Sequence, residues 1–395
     1  MSQIFHFILS FFLVITLTIL MSKNYTNIPI RTIMRILITE ILLAHFLLNS
    51  HIGEIIINKF SLFFEKILEF SSEGTDFVFG NMKKQKLAFF FLNVLCPIIF
   101  ISSIIGIFQY IRILPILISI TGNILSKING TEKLESCNAI STLLFGQSEN
   151  FIIYKNVIQK ISQDKLLNMA ITAMSTTSLS IANAYILIIP PQYVITAIIL
   201  NMFNTFIIIS ILNPKKKSKK SFIIYNTNKN KGLFETLEEH ILIGCKITII
   251  VTAMLIGFIP LISAVNTMLH TMIGISFQNI LGYILFPFAW SLGIPKTEIF
   301  QVSEIMAIKI ISNEFIAMIE LQKISHTLSS NSFAILSVFL VSFANFSSVG
   351  IISGAIRGIN KKQGNKISKH GFKLIYSATL INILSSAITG LIIKK

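Results

Sequence analysis

Runs of about 20 apolar residues with almost no charge recur along this 395-residue chain, and they constrain its fold more than any other feature. A helix needs about 20 such residues to cross the hydrocarbon core of a bilayer. Only 13% of the residues are charged, whereas soluble domains contain roughly 25%. Because so few polar side chains cannot cover a water-facing globule, the sequence predicts an all-α polytopic membrane protein.

Eight apolar segments are predicted to cross the bilayer. The first lacks a basic leader and a small-residue cleavage site, so we expect a retained span rather than a signal peptide. The second is short and carries Glu40 and His45. In chain order the segments are Ile4–Met21, Ile36–Leu48, Leu87–Gln109, Leu167–Ile189, Tyr193–Leu212, Ile241–Val265, Phe333–Ile356 and Leu374–Ile393.

Two further stretches, residues 136–165 and 296–325, each have two short apolar arms around a polar centre. Since neither arm can cross the bilayer, each stretch is predicted to form a re-entrant helical hairpin. The order span, hairpin, span, span then occurs twice with opposite orientation, a recurring plan of secondary transporters. The predicted parts are N-terminal spans with an interfacial segment (1–84), a first repeat (85–213), a basic cytoplasmic loop (214–240) and a second repeat (241–395).

The basic residues indicate orientation rather than a nucleic-acid partner. The net charge is +16, but the lysines cluster in short loops between spans, as the positive-inside rule expects of cytoplasmic loops. No basic patch interleaved with aromatic residues is present, so the sequence predicts no binding of nucleic acid. With eight spans, both termini are predicted to be periplasmic. Lys83, Lys84 and Lys86 do not fit this topology, and the acidic residues before them indicate an amphipathic surface segment.

Each hairpin has a glutamate at its polar centre, in Gly146-Gln147-Ser148-Glu149-Asn150 and in Ser312-Asn313-Glu314-Phe315. An ionised carboxylate near the bilayer centre costs at least ~2.5–3.5 kcal/mol, so each needs a partner from protein, water or ligand. Glu314 can accept hydrogen bonds from both hydroxyls of a vicinal diol, which suits a ribose. Two alternatives stay open: the first tip only caps its own helix ends, or Lys309 neutralises Glu314 in a structural ion pair.

Two spans have polar interruptions that follow the hairpins. The fourth span contains Ser175–Ser178 and the seventh contains Asn345–Ser348. Hydroxyl groups in membrane helices often bond back to the carbonyl four residues earlier, so the fourth span can be an ordinary helix or a ligand-facing one. The asparagine in the seventh span favours an unwound, ligand-facing segment. Glu40 is a weaker candidate, with a possible part in proton movement.

The cysteines and histidines indicate neither a metal site nor an enzyme. The three cysteines lie far apart and the seven histidines are scattered, so we predict no disulfide, no bound metal and no cofactor. A membrane-embedded enzyme needs a metal triad or a nucleophile–base pair, and neither pattern is visible. An enzyme therefore stays a remote alternative to a transporter.

At the hairpin motifs the chain resembles the concentrative nucleoside transporters, and within them the bacterial nucleoside permeases. Ala307-x-Lys309-x-x-x-Asn313-Glu314-Phe315 fits the family's second-hairpin pattern, with Ile316 in place of the usual valine. Gly146–Glu149 fits the first-hairpin pattern Gly-Gln-Thr/Ser-Glu, and Asn345–Ser348 fits Asn-Phe-Ser-Ser. The resemblance extends from about Thr75 to the end of the chain.

This resemblance implies a homotrimer in which a mobile transport domain moves past a fixed scaffold like an elevator. It also implies a nucleoside as the bound partner, besides the lipid bilayer. The implied contacts to the nucleobase are Gln147, Ser148 and Glu149, with Ile181 as an apolar contact. The implied contacts to the ribose are Glu314, Asn345 and Ser348.

One departure from the family pattern concerns the coupling ion. Sodium-coupled members have an asparagine five residues before the hairpin glutamine, where this chain has Thr142. The neighbouring cation positions fall on Phe145, Thr176 and Thr177. Loss of the asparagine favours a proton over sodium. Burial raises the pKa of a carboxyl group, so the carrier of the proton can be Glu149, Glu314 or Glu40.

The sequence thus predicts a proton-coupled importer of uridine-type pyrimidine nucleosides and adenosine in the bacterial inner membrane. A sodium-coupled carrier of the same fold is the nearest alternative.

Overall fold

Every regular element is helical in the part of the chain that the computed structural model describes, which is residues 3–22, 24–80, 88, 90–214 and 232–393. Most of the predicted basic loop (214–240), together with Lys83, Lys84 and Lys86, lies outside these residues. The first half comprises α1 (Gln3–Leu20), α2 (Ile30–Asn49), α3 (His51–Phe79), a π-helical turn (Phe91–Leu95), α4 (Pro97–Tyr110), α5 (Ile113–Asn129), α6 (Lys133–Phe145), α7 (Glu149–Ile153), α8 (Lys155–Ile158), α9 (Gln163–Ser175), α10 (Leu179–Ile186) and α11 (Pro191–Leu212). The second half comprises α12 (Leu233–Ile273), α13 (Phe277–Ser291), α14 (Ile299–Ile311), α15 (Glu314–Lys323), α16 (Ser330–Leu340), α17 (Phe346–Ile359), α18 (Lys361–Lys369) and α19 (Gly371–Ile392).

The predicted crossings correspond to six continuous helices and two broken ones. Six helices of the described residues are long and apolar enough to span a bilayer: α1, α2, Phe91–Tyr110, α11, α12 and α19. The predicted span Leu167–Ile189 is divided into α9 and α10, and Phe333–Ile356 is divided into α16 and α17. The first break (176–178) lies within the predicted interruption Ser175–Ser178, so the fourth span is also unwound. The second break (341–345) overlaps the predicted Asn345–Ser348 only at Asn345, because the residues after it already belong to α17.

Two spans are longer than their apolar residues alone predict. α2 begins at Ile30 rather than Ile36, and α12 covers Leu233–Ile273 rather than Ile241–Val265. The first turns of both helices contain charged residues, which are compatible with a helix but end a hydropathy signal. At 1.5 Å per residue, the 41 residues of α12 extend about 60 Å. This length is about twice the hydrocarbon core, so α12 is tilted or projects beyond it.

Three helices were only partly predicted or were missed. α5 and α13, of 17 and 15 residues, precede the two hairpins and pack against α6 and α14. They are too short for a span, so hydropathy gave no signal for them. α3 contains the predicted amphipathic segment but begins earlier, at His51. With these helices included, each half has the same order: long helix, short helix, hairpin, broken helix, long helix. The division of the chain at residues 85, 214 and 241 stays a prediction.

The long helices fall into two packing groups. α11 and α19 are largely buried, and α1 and α2 pack across them. α4 packs instead along α12. Gly244 permits this close approach, because a Cβ atom there would lie 2.8 Å from the Ile99 Cα atom. The hairpins and broken helices pack with the first group, and a cavity lies between them and α12.

Candidate substrate site

The first hairpin turns at Gly146. Its φ of +107° lies in a region that favours glycine, and α6 therefore ends at Phe145. α7 starts at Glu149, with only three residues between the two helices. A Cβ atom on residue 146 would lie 2.9 Å from Glu149 Oε2. Glycine at this position thus allows both the turn and the close approach of the carboxylate.

The polar residues that follow the turn make different hydrogen bonds. The Asn150 side chain donates to Asn138 Oδ1 (2.8 Å) and accepts from the Ser141 hydroxyl (2.5 Å), so it joins the two arms of the hairpin. Glu149 is partly buried and accepts from the Ser148 hydroxyl at 3.0 Å. Gln147 Oε1 is buried and has no hydrogen-bond partner among the described residues. Buried acceptors of this kind need a water or a ligand, so capping alone does not explain this tip.

The second hairpin turns between α14 and α15. Asn313 caps α15, because its Oδ1 accepts from the Ile316 backbone N–H at 3.0 Å. Glu314 is the first residue of α15 and is only 4% exposed. A carboxylate is favoured at a helix N-terminus by the positive end of the dipole. The cap is supplied by Asn313, so the Glu314 carboxylate is left for other contacts.

Two donors hold the Glu314 carboxylate. The Tyr185 hydroxyl donates to Oε1 and the Asn345 side-chain amide donates to Oε2, each at 2.8 Å. Each carboxylate oxygen can accept a further hydrogen bond. Both oxygens therefore keep an acceptor site that a diol can use. The described residues show no direct Lys309–Glu314 ion pair, since the Lys309 ammonium donates to the Phe339 carbonyl and the Ser342 hydroxyl.

The break in the seventh predicted span places Asn345 beside Glu314. α16 ends at Leu340, and Asn345 caps α17 by accepting from the Ser348 backbone N–H at 2.8 Å. Its Oδ1 atom is used for this cap, while its Nδ2 atom donates to Glu314. One asparagine thus fixes both the helix start and the carboxylate.

All the residues predicted to bind substrate line one cavity of about 650 Å³, a volume that includes its open mouth. Side chains of α12 form an apolar wall of the cavity through Ile247, Ile250 and Val251. The predicted residues in the lining are Gln147, Ser148, Glu149, Ile181, Glu314, Asn345 and Ser348.

Sequence reasoning missed several residues of the site. Tyr185 contacts Glu314 from the first repeat, and the available signal was its spacing of four residues from Ile181, on the same face of α10. Phe343 also lines the cavity, within the second break. The α12 wall had no signal, because apolar residues in an apolar span do not distinguish a cavity from lipid.

The predicted cation region is buried but separate from the cavity lining. Thr142 and Phe145 belong to the last turn of α6, and Thr176 and Thr177 to the break after α9. The Thr142 hydroxyl donates to the Asn138 carbonyl (2.7 Å), and the Thr176 hydroxyl to the Thr172 carbonyl (2.8 Å). Glu40 is fully buried on α2, and neither of its oxygens has a hydrogen-bond partner in the described residues. It does not line the cavity.

Known proteins match nearly the whole length of the chain. Residues 193–390 match the family described as "Na+ dependent nucleoside transporter C-terminus", residues 9–82 match its N-terminal counterpart, and residues 91–212 match "Nucleoside recognition". The chain is 34% identical to the purine nucleoside transport protein NupG of Bacillus subtilis, over 96% of this chain and 97% of that protein. It is 26% identical to the nucleoside permease NupC of Helicobacter pylori, over 94% of each chain.

The fold matches a solved transporter structure. The structure of CNTnw in an inward-facing substrate-bound state superimposes with a TM-score of 0.91 and 25% sequence identity. The match covers 99% of this chain and 98% of that one.

Proposed function

The chain belongs to the concentrative nucleoside transporter family, and on that premise we propose that it is a proton-coupled symporter that imports nucleosides across the inner membrane of a bacterium. It is a multi-pass membrane transporter rather than an enzyme, since its relatives are nucleoside transporters. The observation that carries the proposed site is the Glu314 carboxylate, held by Tyr185 and Asn345 at the wall of the cavity.

The substrate would bridge the two hairpins. Gln147, Ser148 and Glu149 offer polar groups to the base, and Ile181 offers an apolar contact. Glu314, Asn345 and Ser348 offer hydrogen bonds to the ribose. A bound nucleoside then satisfies polar groups at both tips at once. Because the nucleoside would cross-link the two hairpins, we expect empty and fully loaded carriers to move and a half-loaded carrier to remain in place.

The cavity walls support an elevator-like movement. The polar groups belong to the hairpins and broken helices, whereas the three cavity residues of α12 are aliphatic. An aliphatic wall makes no directional bonds, so the loaded hairpins can slide past α12 without breaking substrate hydrogen bonds. We assign α4 and α12 to the fixed scaffold, because they pack along each other rather than across α11 and α19.

The proposal of a proton rests on Thr142, which replaces the asparagine of the sodium-coupled pattern. The competing hypothesis is sodium coupling in the same fold, which the name of the matching family favours. Membrane vesicles with separate proton and sodium gradients distinguish the two. We expect uptake of radiolabelled uridine with a proton gradient alone. Uptake that requires a sodium gradient would contradict proton coupling, and absence of uptake for every nucleoside under both gradients would contradict the transport function.

The proposed substrates are uridine-type pyrimidine nucleosides and adenosine. A second candidate is a carrier for purine nucleosides in general, favoured by the 34% identity to a protein named for purine nucleoside transport. Competition of unlabelled uridine, cytidine, adenosine, inosine and guanosine against labelled adenosine separates the two. Inhibition by the purines only would support the second candidate.

We further propose a homotrimer with both termini in the periplasm. Chemical cross-linking in native membranes tests the first point, since a trimer gives a band at three times the monomer mass. Accessibility of a single cysteine, introduced at either terminus, to a membrane-impermeant maleimide tests the second point.

A further inference from the structure

Lys309 is a fully buried lysine that the transport scheme above does not use. It lies in the last turn of α14 and has no exposed surface. Its Nζ atom donates to the Phe339 carbonyl (2.5 Å) and the Ser342 hydroxyl (2.8 Å), and it lies 4.5 Å from the centre of the Phe339 ring. No ion pair of the described residues includes it. An ammonium group buried without a directly bonded carboxylate is costly unless polar groups surround it.

The partners of the ammonium group are the end of one half-helix and the break that follows. Phe339 belongs to the last turn of α16, where carbonyl groups lack helical partners and the dipole is negative. Ser342 lies in the break itself and also accepts from the Asn382 side-chain amide at 2.6 Å. A positive charge is therefore favoured here, and it holds the break together through groups from α14, α16 and α19.

Because the chain contains an internal repeat, the position of Lys309 in the second repeat can be compared with the predicted cation region of the first. In the first repeat, the predicted cation region lies between the end of α6 (Thr142, Phe145) and the break after α9 (Thr176, Thr177). Lys309 lies in the last turn of α14, as Thr142 and Phe145 lie in the last turn of α6. Its ammonium reaches the break after α16, the counterpart of the break after α9. Lys309 thus has the place in the second repeat that the cation region has in the first.

We propose that the Lys309 ammonium is a covalently attached cation that stabilises the second helix break through its hydrogen bonds to Phe339 and Ser342 and so places Asn345 beside Glu314. Asn345 follows Ser342 by three residues in the same irregular segment, and its amide holds Glu314 Oε2. The ribose half of the site is then formed without a free ion, and a coupling ion acts on the first repeat alone. Lys309 is a positioning residue in this scheme, and the scheme rests on the proposed binding of ribose by Glu314.

Equilibrium binding to the purified, full-length protein in nanodiscs tests this inference. The probes are whichever of uridine or adenosine the wild type binds, and its 2′,3′-dideoxy analogue. Lys309→Met replaces the cation with an apolar chain of similar length, and Lys309→Ala leaves a vacancy of about the size of a small ammonium ion. We expect both variants to bind the ribonucleoside about tenfold more weakly or worse, since a charged hydrogen bond is lost. The dideoxy analogue should bind them about as well as it binds the wild type.

Rescue by a free cation distinguishes a placed charge from general damage. Methylammonium at about 100 mM should increase the ribonucleoside affinity of Lys309→Ala at least threefold, by the mass-action effect of a bound ligand. It should not change the affinity of Lys309→Met, because the methionine side chain fills the space. Lys323→Met is the matched control. Lys323 lies on the same hairpin but is exposed and pairs with Glu320, so its loss should leave affinity within about twofold.

Two results would overturn the inference: ribonucleoside affinity of Lys309→Met within about twofold of the wild type, or an equal loss for the dideoxy analogue. Where Lys309→Met does not fold, Ser342→Ala removes one partner of the ammonium and keeps the lysine. It should also weaken ribonucleoside binding and spare the analogue, and unchanged binding of both would count against the inference. A wild type that binds no nucleoside contradicts the proposed function instead, so the two failures are distinguishable.

Discussion

Replacement of Tyr185 by phenylalanine tests the geometry of the site with the loss of a single oxygen atom. The hydroxyl is buried and donates to Glu314 Oε1 at 2.8 Å. The ring packs edge-on against Phe315, with centroids 5.1 Å apart, and phenylalanine can keep this contact. A hydrogen bond to a charged group contributes about 1.5–3 kcal/mol. Part of this energy is regained when the carboxylate relaxes, so we expect substrate affinity to fall about five- to thirtyfold.

The loss should be specific to the ribose. Without the hydroxyl, only Asn345 orients Glu314, and a ribose diol must bind a less fixed carboxylate. The assay is nucleoside uptake into vesicles, with KM measured for the ribonucleoside and inhibition constants for its 2′-deoxy and 3′-deoxy analogues. KM should rise, and the preference for the ribonucleoside over the analogues should shrink.

Tyr376→Phe is the matched control for this experiment. The Tyr376 hydroxyl donates to the Leu17 carbonyl at 2.9 Å, between α19 and α1 and outside the cavity. Its removal deletes the same atom and a neutral hydrogen bond, so KM should not change. Wild-type KM in Tyr185→Phe, or an equal loss of affinity for all analogues, would show that Tyr185 does not orient the carboxylate for ribose.

Three further predictions concern the glutamates and the first turn. Glu314→Gln should abolish uridine uptake while membrane insertion stays normal; near-wild-type uptake by quantified membrane protein would refute the ribose assignment. Gly146→Ala should cost about 1–3 kcal/mol of strain, because φ is +107° and the new Cβ atom would lie 2.9 Å from Glu149 Oε2. We expect a lower melting temperature and weaker nucleoside binding. Unchanged values of both would contradict the turn geometry. Glu40→Gln should leave nucleoside affinity unchanged, since Glu40 does not line the cavity. Loss of proton-driven uptake with retained counterflow exchange would identify Glu40 as the proton carrier. Unchanged proton-driven uptake would exclude Glu40 from that role.

The sequence predicted those site residues whose polar side chains are unfavourable in a membrane. Carboxylates such as Glu149 and Glu314 are costly in apolar segments, so they are retained only for a reason, and both line the cavity. The same logic identified Asn345, whose polar side chain interrupts a span. The helix breaks followed from polar residues at depth, although the serine and threonine run of the fourth span allowed an unbroken helix as well.

Apolar and aromatic residues of the site carried no such signal of polarity. Ile247 is as compatible with lipid as with a cavity, so only the folded arrangement identifies it, and Tyr185 had no signal beyond its spacing of four residues from Ile181. The short helices α5 and α13 were missed for a related reason, since each is below the length of a span. The partners of Lys309 were also beyond prediction, because its acceptors are a backbone carbonyl and a hydroxyl 30 and 33 residues away.

The two hairpin tips are held by unequal sets of protein hydrogen bonds, and this inequality bears on coupling. At the second tip, Glu314 has two fixed donors, and Lys309 secures the adjacent break. At the first tip, Glu149 accepts from its neighbour Ser148, and Gln147 keeps a buried acceptor without a partner in the described residues. The protein thus holds the ribose-binding groups in place before substrate arrives. The base-binding groups, in contrast, need the base to complete their hydrogen bonds. A coupling ion can change the affinity of the half that is not yet complete, so we expect ion dependence to follow changes in the base rather than changes in the ribose.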